Sequence, residues 1–461
     1  MGTRRRSAIL LPLLAAAIAT ATPAVAGIGG TGDPFFPKAG NEGYDVSNYE
    51  LVIDYTPDSN LLIGAARIEA TATSALERFN LDLRKPLAVS SVLVDGVPAA
   101  SFRQSSQELT IRPAAPIAAG AVFSVDVAYE GKPEAVIDPD GSSEGWIRTD
   151  DGAFVASEPQ GSPSWFPAND TPTDKASFTI SITVPEGIVG LGNGVLQSRS
   201  VAGGKETFVW RQAEPMAPYL ATAASGRFNL KISEVEGLPY YAAIDPRAGN
   251  PGPGLRQTPE MMRYLIERFG PYPFSSLGAI VDHEPGVFYA LETQAIPIYP
   301  GPPGEATVVH ELAHQWFGNA VTLKRWPDIW LHEGIATWVE WDWSEHSGGS
   351  SRKQIYRELY STPARVKQLW NPAPNALRNP AQLFSASTYQ RGALTIEALA
   401  QRIGERKVVQ ILRRLYAEHR YGNISSGTFT DLAEEVSGKN LGRFFADWLL
   451  ERGKPKGYGV G

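Results

Sequence analysis

The chain has 461 residues, with 42 lysines and arginines against 49 acids, a formal charge of −7, and no cysteine. That length exceeds what one hydrophobic core supports, so two or more domains are expected. The acid excess offers nucleic acid no basic surface, and stability must come without disulfides.

Arg4, Arg5 and Arg6 precede an apolar run over residues 8–18 and a small-residue stretch ending Ala24-Val25-Ala26. This is the pattern of a secretory signal peptide cut after Ala26, with an apolar run too short to span a bilayer. Cleavage would remove three arginines and no acids, taking the charge from −7 to −10. The mature chain is therefore expected to be secreted or held in the cell envelope, as a monomer with no membrane span and no nucleic-acid partner. Without cysteine, a lipid anchor on that residue is excluded.

From Tyr44 to about Phe228 the sequence runs in short alternating segments separated by turns, such as Tyr49-Glu50-Leu51-Val52-Ile53-Asp54-Tyr55 and Phe178-Thr179-Ile180-Ser181-Ile182-Thr183-Val184. Period-two alternation predicts a saddle or sandwich of antiparallel strands. Past Leu238 the period becomes helical. Pro259 suits the first turn of a helix carrying Met261, Met262, Leu265, Ile266 and Phe269, closed by Gly270. Further helices are expected over about 305–317, 330–344, 389–402, 405–419 and 441–451, with loops at 247–254 and 371–381 and a frayed tail from Gly453. The expected division is a signal peptide over 1–26, a β domain over 27–232 and a second domain over 233–461.

The second domain carries His310-Glu311-Leu312-Ala313-His314, and Glu333 follows after eighteen intervening residues. Residues four apart share a helix face, so both imidazoles can meet one metal with Glu311 beside them. Two histidines and a carboxylate leave the fourth tetrahedral position of a Zn2+ ion open for water, the arrangement of a catalytic rather than a structural site. The pattern points to a zinc hydrolase in which His310, His314 and Glu333 bind the metal and Glu311 is the base.

The segment Val308-Val309-His310-Glu311-Leu312-Ala313-His314-Gln315-Trp316-Phe317-Gly318-Asn319, with Trp330-Leu331-His332-Glu333-Gly334, resembles the zinc signature of the aminopeptidase N and leukotriene hydrolase family of gluzincin metallopeptidases. Ala290-Leu291-Glu292-Thr293-Gln294 resembles its exopeptidase motif, and Tyr389-Gln390-Arg391-Gly392-Ala393 the stretch with its catalytic tyrosine. Trp165-Phe166-Pro167-Ala168-Asn169-Asp170-Thr171-Pro172-Thr173-Asp174-Lys175-Ala176 resembles a segment of its β domain. The likeness covers nearly all of the mature chain and ends near Leu449, where a short bacterial secreted member would stop.

The resemblance implies a β-saddle domain followed by a thermolysin-like α/β, mainly helical, catalytic domain. It implies hydrolysis of the N-terminal bond of peptides by zinc-activated water. Glu311 would pass a proton from water to the leaving amine, and Tyr389 would steady the oxyanion. Glu292 would anchor the free α-ammonium, with Glu158, twelve residues before Asp170, as a second anchor and Ala290 and Leu291 beside the substrate. The family's epoxide-hydrolase branch, an endopeptidase and a silent zinc-binding module are the competing readings. Three positions depart from the family: Tyr289 stands for glycine, Thr293 for asparagine, and His332 for asparagine before the ligand Glu333. His332 is read as non-ligating. Thr337 and Asp328 are candidates to steady the ligands from behind, while His283, His346 and His419 lack ligand spacing.

Overall fold

A computed structural model describes residues 29–458 together with Gly2. The expected signal peptide therefore lies outside the described residues, save for Gly2. Among them, no helix is long and apolar enough to cross a membrane.

The N-terminal domain is built on an eight-stranded sheet. Its central strands are Tyr44–Thr56 and Ala176–Pro185, and the latter alternates buried and half-buried along its whole length. This is the period-two pattern of a sheet with one face on a core, where Tyr49, Ile53, Phe178, Ile182 and Trp210 are buried. The central pair runs parallel, with Leu51 opposite Ile180, so the sheet is not wholly antiparallel as expected. A five-stranded sheet containing Ala153–Ala156 and Ser143–Arg148 turns toward the second domain.

The second domain opens on a four-stranded sheet: Asn229–Val235, Leu238–Ile244, Leu277–Val281 and Ile298–Tyr299. The expected division between residues 232 and 233 falls inside the first of these strands, because the hairpin that it begins pairs onward with Leu277–Val281. The helices are α1 (Gly252–Arg256), α2 (Thr258–Phe269), α3 (Glu305–His314), α4 (Trp330–His346), α5 (Arg352–Ser361), α6 (Lys367–Trp370), α7 (Gly392–Ile403), α8 (Glu405–His419), α9 (Ser426–Ser437) and α10 (Gly442–Phe445). Helix α4 is buried from Trp330 to Val339, as an apolar all-round sequence requires. Helices α3, α4 and α7 form the centre of the domain.

Several expectations are corrected. Helix α3 ends at His314 rather than 317, because Asn319 N–H already bonds the His314 carbonyl and starts a turn. Helices α1, α5, α6 and α9 are additions to the expected set, α1 beginning inside the expected loop 247–254; α9 starts on a capping box at Ser425 and Thr428. The tail is not frayed as far as it is described. Tyr458 stacks edge-on against Trp448 and Phe444, donates to Asp447, and accepts from Tyr356 through its carbonyl.

Candidate active site

Helix α3 presents His310 and His314 on one face, and α4 crosses it with Glu333. His310 Nε2 and His314 Nε2 lie 3.2 Å and 3.6 Å from Glu333 Oε2. Two donors each about 2 Å from an ion at the centre of a tetrahedron stand about 3.3 Å apart, so the three atoms have the spacing of a zinc shell. The field agrees. Burial opposes a charged imidazole at His314, but the Glu292 and Glu333 carboxylates outweigh it and push the ring up to about 9. Burial would raise Glu333, yet His314 and His310 hold its carboxyl well below the usual range. The pocket favours positive charge, and its donor set fits a zinc ion.

Each histidine is fixed from behind. His310 Nδ1 meets Glu340 Oε1 at 2.6 Å, and His314 Nδ1 donates to the Phe317 carbonyl at 3.2 Å. Such partners set the tautomer so that Nε2 faces the metal. Glu340 is absent from the residues singled out in the sequence, although it lies seven residues after Glu333 and thus on the same face of α4. The two residues expected in this role do something else. Asp328 accepts from the backbone and hydroxyl of Ser426, tying α9 to the start of α4, and the buried Thr337 hydroxyl has no bond to a ligand.

Beside the metal position, Glu292, Glu311 and His314 place one ligand atom each within 4.8 Å of one another. Glu311 is buried, and burial pushes its carboxyl up to about 8 against the pull of His310 and His314. Glu292 is held through its backbone: Asn319 Nδ2 and Gln315 Nε2 donate to its carbonyl at 2.6 and 3.0 Å. Its Oε1 is buried without a partner, as is Oε1 of Glu158. Glu158 arrives from the N-terminal domain just past strand Ala153–Ala156, and burial followed by the charge of Glu292 raises it well above the ordinary carboxylate range. Leu291 exchanges backbone bonds with Ile298, leaving Ala290 half-buried at the cleft. In the motif, Thr293 in place of asparagine closes a local turn by donating to the Ile296 carbonyl at 2.6 Å.

Tyr389 sits in a single π-helical turn, Ser387–Arg391, that leads into α7, rather than in regular helix as expected. Its ring stacks with that of His310 at 6.0 Å. The turn is pinned by the buried Arg391, whose guanidinium donates to the carbonyls of Trp448, Trp370, Asp447 and Glu451. Helices α4 and α7 touch at Gly334 and Gly392, where a Cβ on either would come within 2.8 Å of the other's backbone. That contact brings the tyrosine's turn up to Glu333. His332 is buried with both ring nitrogens unpartnered, its ring 6.3 Å from that of His314, and takes no place among the donors. His283 and His346 are exposed and His419 is half-exposed, and none of them joins the donor clusters around His314.

A helix with two histidines one turn apart, a glutamate from the next helix and a β domain closing the cleft define a metallopeptidase centre. The M1 peptidase N-terminal domain model matches residues 46–220 and the peptidase family M1 domain model matches residues 304–448. The chain belongs to peptidase family M1. It resembles the M1 zinc metallopeptidase from Deinococcus radiodurans with a TM-score of 0.84 and 27% identity, covering 94% of this chain and 100% of that one. A glutamate-to-alanine mutant of that protein bound to a Tyr-Ser-Ala substrate superposes with a TM-score of 0.83, at 27% identity over 93% of this chain and 99% of that one. Among curated relatives, Aminopeptidase M1 of Arabidopsis thaliana is 27% identical over 332 residues, 66% of this chain and 37% of that protein. Leucyl aminopeptidase of Saccharolobus solfataricus is 24% identical over 337 residues, 63% of this chain and 40% of that one. The chain thus spans well under half the length of these curated relatives.

Proposed function

We propose that this protein is a zinc-dependent aminopeptidase that removes residues from the free N-termini of peptides. The observation that carries the reading is Glu292, a buried carboxylate with an unpartnered oxygen beside Glu311 and His314. Buried charge without a partner is costly, so this position calls for a cation from the substrate. A peptide's α-ammonium, shared between Glu292 and Glu158, would fix the first peptide bond over the metal position.

His310, His314 and Glu333 would hold the zinc ion, which when bound polarises the scissile carbonyl and acidifies water. Glu311 then accepts a proton from the attacking water and returns it to the departing amine. Tyr389, stacked on His310, donates to the oxygen that gains charge, and one such donor is worth about 3 kcal/mol in the transition state. The N-terminal domain covers the cleft and keeps water from competing for these bonds.

The test is cleavage of matched free and N-acetylated peptides, with and without chelator. Acetylation removes the ammonium and should leave blocked peptides nearly inert, while chelation should abolish both rates. Equal cleavage of both forms would overturn the exopeptidase reading. The arginine-led segment over residues 1–26 further supports export to the cell envelope or medium, which N-terminal sequencing of the mature chain would test.

A further inference from the structure

At the end of the cleft lies a cavity of about 100 Å³ lined by Asp140, Ser142, Glu158, Tyr289, Phe384 and Tyr389, among others. Its two sides differ. The catalytic domain supplies aromatic walls, and the N-terminal domain supplies acids. Behind the rim, Asp138 and Glu144 are buried next to each other, and burial raises both carboxyls, Asp138 to about 6 and Glu144 well above the ordinary range. The nearby Arg84 guanidinium gives its bond to Gln160. Asp140 spends one oxygen, Oδ1, on the backbone and hydroxyl of Ser142.

Tyr289 joins the two sides. Its hydroxyl donates across the cleft to the Ser143 carbonyl at 2.5 Å, so the ring is a fixed wall rather than a swinging one. Burial, then the charges of Glu144, Glu158, Asp140 and Asp138, push its phenol far above the usual range, and it therefore stays a donor in that bond. The position that glycine would leave open is filled.

We propose that this pocket selects a lysine or arginine side chain at the peptide N-terminus, with Tyr289 and Asp140 as the residues that set the choice. The inference rests on the aminopeptidase reading. A slim methylene stem lies along the rings of Tyr289, Phe384 and Tyr389, and its cationic head meets the Asp140 carboxylate at the rim. An uncharged side chain of equal length leaves Asp140 unmatched, an acidic one is repelled, and an indole meets the Tyr289 wall.

The test is kcat/KM of the full-length, metal-loaded protein on aminoacyl 4-nitroanilides of lysine, arginine, methionine, tryptophan and glutamate. Lysine and arginine should exceed methionine by about tenfold or more. Asp140→Asn should lower the lysine-to-methionine ratio by about tenfold, mainly through KM, and Tyr289→Gly should raise tryptophan relative to lysine. Inhibition of the wild-type protein by free L-lysine against free L-methionine repeats the comparison without any substitution. A wild-type preference for methionine or tryptophan, or an Asp140→Asn effect equal on lysine and methionine, would overturn the proposal while leaving the aminopeptidase reading intact. Inactivity on every free aminoacyl substrate would instead overturn that reading, and this preference with it.

Discussion

Lys175 Nζ, from the N-terminal domain, donates at 3.1 Å to the carbonyl of Asn319, whose own side chain holds the Glu292 carbonyl at 2.6 Å. The same ammonium also reaches the carbonyls of Ala320 and Gly422 at 3.1 Å. One cation thus ties the β domain to the turn behind the substrate anchor. Lys175→Met should leave these carbonyls without their donor and cost about 2–4 kcal/mol of stability. Because Glu292 is reached through Asn319, KM for free peptides should rise more than kcat falls. Thermal unfolding and steady-state kinetics check both, and an effect on stability alone would confine Lys175 to a packing role.

Removing the metal separates the ligands from the base. His310→Ala, His314→Ala and Glu333→Ala should each lose stoichiometric zinc, while Glu311→Gln should keep it and lose several orders of magnitude in rate. Glu340→Gln should lie between, with zinc affinity weakened about 10- to 100-fold because His310 loses its partner at Nδ1. Zinc titration by competition with a chelator measures all five. Full activity in a zinc-replete Glu311→Gln protein would refute the assigned base.

Tyr389→Phe should lower kcat by about a hundredfold, with zinc content and KM little changed, since the hydroxyl acts where charge develops. Arg391→Met tests how that hydroxyl is placed. It strips four carbonyls of their donor at the turn and should lower thermal stability as well as kcat. If Tyr389→Phe retains the wild-type rate with chemistry limiting, the ring's stack on His310 is its only role.

Asp170 and Asp174 lie buried in the N-terminal domain, and burial pushes each up to about 7. Folded values above the ordinary one mean that their contribution is complete below about pH 4 and is lost as pH rises toward 7, because the unfolded chain gives up its protons first. Asn mimics the protonated acid. The melting temperature of Asp170→Asn relative to wild type should therefore climb between about pH 4 and 7 and level off above. Scanning calorimetry at fixed zinc gives the comparison, and a difference that shrinks over that window would contradict the burial argument.

The centre is legible in the sequence because its chemistry dictates spacing. Two ligands one helical turn apart are a local fact, visible in His310 and His314 without any knowledge of the fold. The acids Glu292 and Glu158 become visible only through resemblance, since a carboxylate's neighbours in space leave no local trace. Glu340 sits on the right face of a helix, but α4 is buried nearly all round, so periodicity does not say which side meets α3. The tail escapes a sequence reading because Tyr458 packs on Trp448, Phe444 and Tyr356, partners that a short glycine-rich stretch does not announce. Alternation reveals the strand-rich segments, while the parallel pairing of the central strands depends on a long crossover that alternation does not encode.

The touching backbones of Gly334 and Gly392 mean that the reach of Tyr389 toward the metal is set by a missing pair of methyl groups. A spacing held open by a side chain can be trimmed and retuned by substitution. One held by the absence of side chains can change in a single direction, because any atom added at either glycine acts as a wedge. Attempts to reshape substrate choice therefore have room along the rim at Tyr289 and Asp140, where side chains are the material, and none at the crossing of α4 and α7.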